Sequence, residues 1–174
     1  MNLADEPGSR RFCSPDGCLD VVVPHAMIQK MHQICVEAGG VETGGILLGR
    51  YSEDLRCASI QSITGPPPDS KKRFSQFVRG IKGLPELLAK LWNRTDRSYY
   101  LGEWHHHPLS IPNPSRDDIN QMNQIAKSVK YACPEPILVI LSGSPAGSWT
   151  VSANIFKRDG SAISLTQPTT SGEL

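Results

Sequence analysis

Apolar residues along the chain recur with two different periods, and these periods predict a succession of strands and helices. Alternating apolar positions or short β-branched runs predict strands, whereas apolar spacings of three and four predict helices with one buried face. Strands are predicted at 19–23, 46–49, 57–63, 98–104, 137–141 and 149–156, and helices at 24–38, 84–92 and 115–131. In the third helix the stripe expected to face inward is Ile119, Met122, Ile125, Ala126 and Val129. The order β-α-β-β-α-β-α-β-β predicts an α/β fold with one sheet flanked by helices.

A single domain is predicted between two polar ends of the chain. Residues 1–17 are polar and rich in turn-forming residues, so we expect a flexible N-terminal lead-in. The polar tail at 167–174 is expected to be mobile. The segment between them, 18–166, is long enough to bury a core of ordinary size and contains no internal repeat.

Composition removes several classes of function. A net charge of +1, with 20% charged and 39% hydrophobic residues, gives no general basis for binding nucleic acid or a membrane surface. No apolar run approaches the ~20 residues that span a bilayer, and the N-terminus lacks the pattern of a secretory signal, so we expect a cytoplasmic protein. The five cysteines form no Cys-x-x-Cys pair and predict neither a disulfide framework nor a cysteine zinc clamp.

Candidate chemistry is concentrated after the fourth predicted strand. His105 and His107 are two residues apart, so a strand continuing through them would project both imidazoles from one face. Asp118 offers a carboxylate near the start of the next helix. Two histidines and one carboxylate, with the fourth position left to water, are typical of a catalytic zinc site.

Each part of this pattern also has an ordinary structural interpretation. Paired histidines on a strand are often polar surface. Ser115 followed by Asp118 at the third helical position is a helix N-terminal cap, which can hold alongside a metal role because a cap fixes the direction of Asp118.

The complete spacing resembles a known family. His105-x-His107-Pro108, six further residues, Ser115, two residues and Asp118, with Glu42-Thr43-Gly44-Gly45 upstream, resemble the JAMM motif of JAB/MPN metallopeptidases. The resemblance implies a single-domain JAB/MPN-type fold with a mixed, curved sheet. It also implies one catalytic Zn²⁺ held by His105, His107 and Asp118. Glu42 resembles the general acid and base of the family, and Ser115 resembles the residue that hydrogen-bonds the oxyanion as an amide bond is hydrolysed.

Two residues near the motif need separate consideration, because one departs from the family pattern and the other is a second acidic residue that could be taken for the general base. His106 stands where the family has Ser or Thr. Alternation along a strand would turn it away from the two ligands, although it could bind a second metal or perturb the pocket. Glu103 is acidic and close to the site, but its position on the ligand strand suits a partner of a ligand better than the proton-transferring base.

The sequence around the motif, Gly102-Glu103-Trp104 with Pro114-Ser115, resembles small stand-alone bacterial JAB proteins found beside E1- and E2-like enzymes in anti-phage operons. That resemblance implies deconjugation, in which a ubiquitin-like protein, or a nucleotidyltransferase joined through its C-terminus, is cut from an amine. Three alternatives remain open. They are a peptidase that matures a ubiquitin-like or sulfur-carrier precursor, a non-catalytic MPN scaffold, and a JAB enzyme acting on a small molecule or cell-wall peptide.

A mixed basic and aromatic stretch at 71–79 has two interpretations. It is a solvated loop or short strand, or it is a surface that holds a protein substrate. It is too short and isolated to indicate nucleic acid binding.

Overall fold

The computed structural model describes residues 7–73, 76–95, 97–108, 111–144 and 147–168. These residues form ten strands and three helices. In chain order they are β1 (Arg10–Cys13), β2 (Asp20–Val23), α1 (His25–Glu37), β3 (Thr43–Tyr51), β4 (Cys57–Ile63), β5 (Lys71–Arg73), β6 (Gln76–Val78), α2 (Leu84–Trp92), β7 (Tyr99–His107), α3 (Arg116–Lys127), β8 (Ile137–Gly143), β9 (Trp149–Phe156) and β10 (Ala162–Leu165). No helix among the described residues is long and apolar enough to cross a membrane.

Eight strands form one mixed sheet, in the order β1-β2-β4-β3-β7-β8-β9-β10. The pairs β2–β4 and β7–β8 are parallel and the other pairs are antiparallel. The backbone of Cys13 in β1 exchanges hydrogen bonds of 2.8 and 2.9 Å with Thr166, directly after β10. Because these bonds join the two ends of the strand order, the sheet is curved. The predicted mixed, curved sheet flanked by helices is confirmed.

Both faces of the sheet are buried, and β8 contributes alternate residues to each. Val139 packs in the cluster that contains α1, whereas Ile140 packs in the cluster that contains residues of α2 and α3. β7 lies between β3 and β8, so it is a central strand. The end of β7 is therefore held on both sides by backbone pairing.

Periodicity predicts the long elements well. The bounds of β4, α2 and β9 are those expected, whereas β7 continues three residues beyond its predicted end and carries the histidine pair. The third helix ends earlier than predicted, at Lys127. Val129 of the expected inward stripe therefore lies beyond the helix end and is exposed, and Ile119, within the helix, is exposed as well, so the prediction is wrong for both residues.

Four short strands lie outside the strands predicted from periodicity, and two of them, β5 and β6, fall in the stretch expected to be a solvated loop or short strand. β1 lies inside the expected flexible lead-in at 1–17, so that prediction is wrong for residues 10–13. β5 and β6 form a separate antiparallel hairpin in the basic and aromatic stretch, and β10 adds an edge strand. These strands are too short for a periodic pattern. Most of the tail expected to be mobile, 169–174, lies outside the described residues.

Candidate metal centre

His105 and His107 project from one face of β7, as the alternation predicts. The strand pairs His105 with Gly44 of β3 on one side and with Ile140 of β8 on the other. Both imidazoles are buried, with 1% and 4% of their surface exposed. Since neither ring is solvated, each needs a partner inside the protein.

Asp118 is brought to the histidines by the start of α3. Its Oδ1 lies 2.6 Å from Nδ1 of His105, and its Oδ2 lies 3.2 Å from Nε2 of His107. One potential ligand atom from each of the three side chains lies within 4.8 Å of the others. The sequence-predicted ligand set therefore converges at the end of β7.

Ser115 orients this carboxylate through a capping box, also as predicted. Its Oγ accepts the backbone N–H of Asp118 at 3.1 Å, and Oδ2 of Asp118 accepts the backbone N–H of Ser115 at 2.7 Å. The reciprocal bonds satisfy two amides that the first turn of a helix leaves without intrahelical partners. Ser115 itself is an exposed residue, and the hydrogen bond to its Oγ is partly buried.

The electrostatics of the three side chains favour a bound cation. Burial alone would lower the pKa of His105, but hydrogen bonds and attraction to Asp118 and Glu103 raise it to about 9. Burial opposes ionisation of Asp118, yet its contacts with His105 and His107 hold its pKa far below the ordinary value. The carboxylates therefore stabilise positive charge here. Two imidazoles and a carboxylate supply the nitrogen and oxygen donors of a three-ligand zinc site, so the residues present fit the ion.

Glu42 stands beside this ligand set without belonging to it. It directly precedes β3, and its backbone N–H donates to the carbonyl of Arg73 at 3.0 Å. Burial raises the pKa of its carboxyl group, while His107 lowers it and Asp118 raises it further. A half-buried carboxyl group within electrostatic reach of the ligands is suited to exchanging protons.

The paired glycines after Glu42 permit close packing of β3 against its neighbours. A Cβ atom on Gly44 would collide with the backbone carbonyl of Trp104 and would lie 3.0 Å from the ring of His105. On Gly45 it would collide with the backbone of Thr64. A side chain at Gly44 would push β3 away from β7, the strand that carries the histidines, and one at Gly45 would push it away from the segment that follows β4.

Glu103 lies on the same face of β7 and is completely buried. Burial raises its pKa, but hydrogen bonding and attraction to His105 and Arg79 more than compensate and lower it. Its Oε2 is 3.3 Å from Nε2 of His105, in the position of a partner to the ligand. Sequence reasoning places Arg79 in an exposed basic stretch, and this is wrong because its side chain is buried against Glu103. A single arginine in a stretch that begins with exposed lysines carries no sequence signal for such a contact.

His106 points to the opposite face of β7. Its Nε2 lies 3.1 Å from the carbonyl oxygen of Gly143, and its ring centroid lies 5.4 Å from that of Trp149. Among the described residues, the side chains close enough together to hold a metal ion are those of His105, His107 and Asp118, and His106 does not belong to them. The side chain therefore joins β7 to the β8–β9 hairpin.

The β5–β6 hairpin lies beside the metal centre. Phe77 of β6 packs edge-on against His105, with ring centroids 5.3 Å apart, and Gln76 donates to Asp117 of α3 at 3.2 Å. The side chains of β5 (Lys71–Arg73) are exposed. Residues 74–75, between β5 and β6 in the sequence, lie outside the described residues.

Comparisons with known proteins agree with this geometry. Residues 24–152 match the family described as prokaryotic homologs of the JAB domain. Over 154 residues, 88% of this chain and 84% of the relative, the sequence is 42% identical to a CD-NTase/cGAS isopeptidase of Enterobacter hormaechei subsp. hoffmannii (strain UCI 50). A protein of the same name from Pseudomonas aeruginosa (strain BWHPSA011 / Pa011) is 31% identical over 106 residues, 60% of this chain and 65% of the relative.

A solved structure shows a similar fold. The solution structure of protein DSY2949 from Desulfitobacterium hafniense superposes with a TM-score of 0.53 over 81% of this chain and 84% of that chain. The two sequences are 19% identical, so the likeness concerns the fold alone.

Proposed function

Since the chain belongs to the family of prokaryotic homologs of the JAB domain, we propose that it is a zinc-dependent isopeptidase that removes a conjugated protein from an amine. The bond cut is the amide after the C-terminus of a ubiquitin-like protein or of a CD-NTase-type protein. The observation that carries the proposal is the convergence of His105, His107 and Asp118 in a chain 42% identical to a CD-NTase/cGAS isopeptidase. The setting proposed is a bacterial anti-phage system with E1- and E2-like partners.

His105, His107 and Asp118 would hold the ion through two imidazole nitrogens and one carboxylate oxygen. A bound zinc ion supplies Lewis acidity and lowers the pKa of the attacking water to ~7. The capping box keeps Asp118 pointed at the histidines, so the ligand set is arranged before any substrate arrives.

Glu42 is assigned the proton transfers of the reaction. Its carboxylate accepts a proton from the attacking water and later gives a proton to the departing amine. The raised pKa of the half-buried group makes it a better base than an exposed glutamate, since a catalytic pKa nearer the working pH favours both transfers. Glu103 does not suit this role, because its two oxygens already accept from Arg79 and Gln121 and it is buried.

Ser115 is assigned to the carbonyl oxygen of the substrate. Its Oγ accepts one hydrogen bond, from the N–H of Asp118, and its own hydroxyl hydrogen can donate to a substrate atom. As the scissile carbonyl becomes tetrahedral its oxygen gains negative charge, and a fixed donor stabilises that charge.

The β5–β6 hairpin is assigned to substrate binding. It packs on His105 through Phe77 while β5 (Lys71–Arg73) presents exposed positive charge beside the site. A protein substrate crossing this surface would contact the basic side chains before its C-terminal segment reaches the metal centre.

The test uses two substrates and the full-length protein loaded with zinc. One substrate is a CD-NTase joined through its C-terminus to a lysine side chain of a second protein, and the other carries the same C-terminus in a linear fusion. Release of the intact C-terminus from the first, seen by mass spectrometry and absent with Glu42→Ala, is the expected result. Cleavage of the linear fusion alone would favour precursor processing. Cleavage of neither by protein that binds zinc would refute the proposal and favour a scaffold.

A further inference from the structure

A buried ion pair lies directly behind the metal centre. Nε of Arg79, in the residue after β6, donates to Oε1 of Glu103 at 2.6 Å, and the two side chains are 3% and 0% exposed. The remaining guanidinium nitrogens donate to the carbonyl of Gly80 at 2.9 Å and to the hydroxyl of Tyr131 at 2.6 Å. Arg79 therefore donates hydrogen bonds to three groups, and the carboxylate of Glu103 balances its positive charge in the buried site.

The other oxygen of Glu103 faces His105. Oε2 lies 3.3 Å from Nε2 of His105 and also accepts the side-chain amide of Gln121, which lies on the same helix as Asp118. An ionised carboxylate only accepts hydrogen bonds, so Nε2 of His105 carries the hydrogen. The other ring nitrogen, Nδ1, lies 2.6 Å from the carboxylate of Asp118 and donates to it in the metal-free ring, so an ion bound there would take the place of the Nδ1 hydrogen while Nε2 keeps its own.

We propose that Arg79 and Glu103 form a positioning pair for the metal centre. Glu103 holds the ring of His105 so that Nδ1 is the nitrogen offered to the ion, and Arg79 holds Glu103 in place. The proposal rests on the proposed function, since it requires a metal ion at His105, His107 and Asp118. Partners of this kind set the tautomer and direction of a ligating histidine.

Arg79 also connects this pair to the hairpin. Phe77, two residues earlier, packs on the ring of His105 from the side of β6, while Glu103 contacts the same ring through Nε2. The segment 77–79 thus contacts His105 directly through Phe77 and indirectly through Arg79, by way of Glu103. Both contacts restrict the orientation of this ligand.

Metal affinity tests the pair without relying on catalysis. Zinc binding by the full-length protein is measured by competition with a chelator for wild type, Arg79→Met and Glu103→Gln, with folding checked by circular dichroism. Loss of such a partner typically weakens metal binding about 10–100-fold, and we expect this range for both variants. Arg79→Lys keeps the charge and should recover part of the affinity. Arg73→Met removes an exposed charge from the same hairpin and should leave affinity unchanged.

The outcomes distinguish this proposal from the proposed function. Folded Arg79→Met and Glu103→Gln proteins that bind zinc as tightly as wild type overturn the positioning pair and leave the isopeptidase proposal intact. Wild-type protein that binds no zinc overturns both.

A measurement on wild type covers the case in which the variants fail to fold. Nuclear magnetic resonance of cadmium-loaded wild type with nitrogen-labelled histidine should show metal coupling to Nδ1 of His105 and a hydrogen on Nε2. Metal coupling to Nε2 overturns the proposal.

Discussion

Replacement of Ser115 by alanine tests the two tasks assigned to its hydroxyl group. The variant loses the bond from the Asp118 N–H to Oγ but keeps the bond from the Ser115 N–H to the Asp118 carboxylate. Loss of a serine cap costs about 1 kcal/mol. Even from a total stability of roughly 5 kcal/mol, this leaves only about 0.1% of the molecules unfolded. The melting temperature should fall by about 2–4 °C for a chain of this size.

Activity should fall far more than stability explains. Removal of one oxyanion donor lowers kcat about 10²–10³-fold, whereas the unfolded fraction changes it negligibly. The assay is kcat and KM on a conjugated substrate, together with zinc content and thermal unfolding. Ser115→Thr keeps both the cap acceptor and the hydroxyl donor and should retain most of the activity. An alanine variant with a lowered melting temperature but wild-type kcat would refute the oxyanion role while supporting the cap.

Four further changes have distinct expected results. Glu42→Ala should keep zinc but lose hydrolysis, because the residue lies outside the ligand set, and full turnover would contradict its assigned role. His107→Ala should lose both zinc and hydrolysis, and metal analysis showing a full zinc content would remove it from the ligands. Charge reversal across β5 (Lys71–Arg73) should raise KM without changing zinc content, so an unchanged KM would argue against substrate binding there. Gly44→Ala should weaken zinc binding and lower the melting temperature because the added Cβ has no room, whereas Gly65→Ala, where a Cβ meets only one atom at 3.8 Å, should do neither.

Much of the candidate site can be predicted from sequence because its parts are local. Strand alternation places His105 and His107 on one face, and a helix cap places Asp118, only thirteen residues after His105, at a known point of the next helix. The interactions that determine these positions span a few residues. Their consequences in space can therefore be worked out without the rest of the fold.

Contacts between distant segments cannot be predicted in this way. β1 shows no apolar period, and it exists because its backbone pairs with β2 and meets Thr166 at the far end of the chain. For β1, pairing with other parts of the chain outweighs local preference. Val129 is exposed because α3 stops at Lys127 although the apolar spacing continues, and the sequence pattern does not mark that end.

Arg79 is the most informative failure of sequence reasoning. In the sequence it follows exposed lysines and looks like surface, yet 24 residues separate it from the buried carboxylate that it binds. The motif determines which atoms can hold a metal, whereas the orientation of those atoms depends on residues that no short pattern contains. If the proposed positioning pair is correct, a chain that keeps Glu42, both histidines and Asp118 would still bind metal weakly once the Arg79–Glu103 contact is broken. On that proposal the intact motif is not sufficient for tight metal binding by this chain.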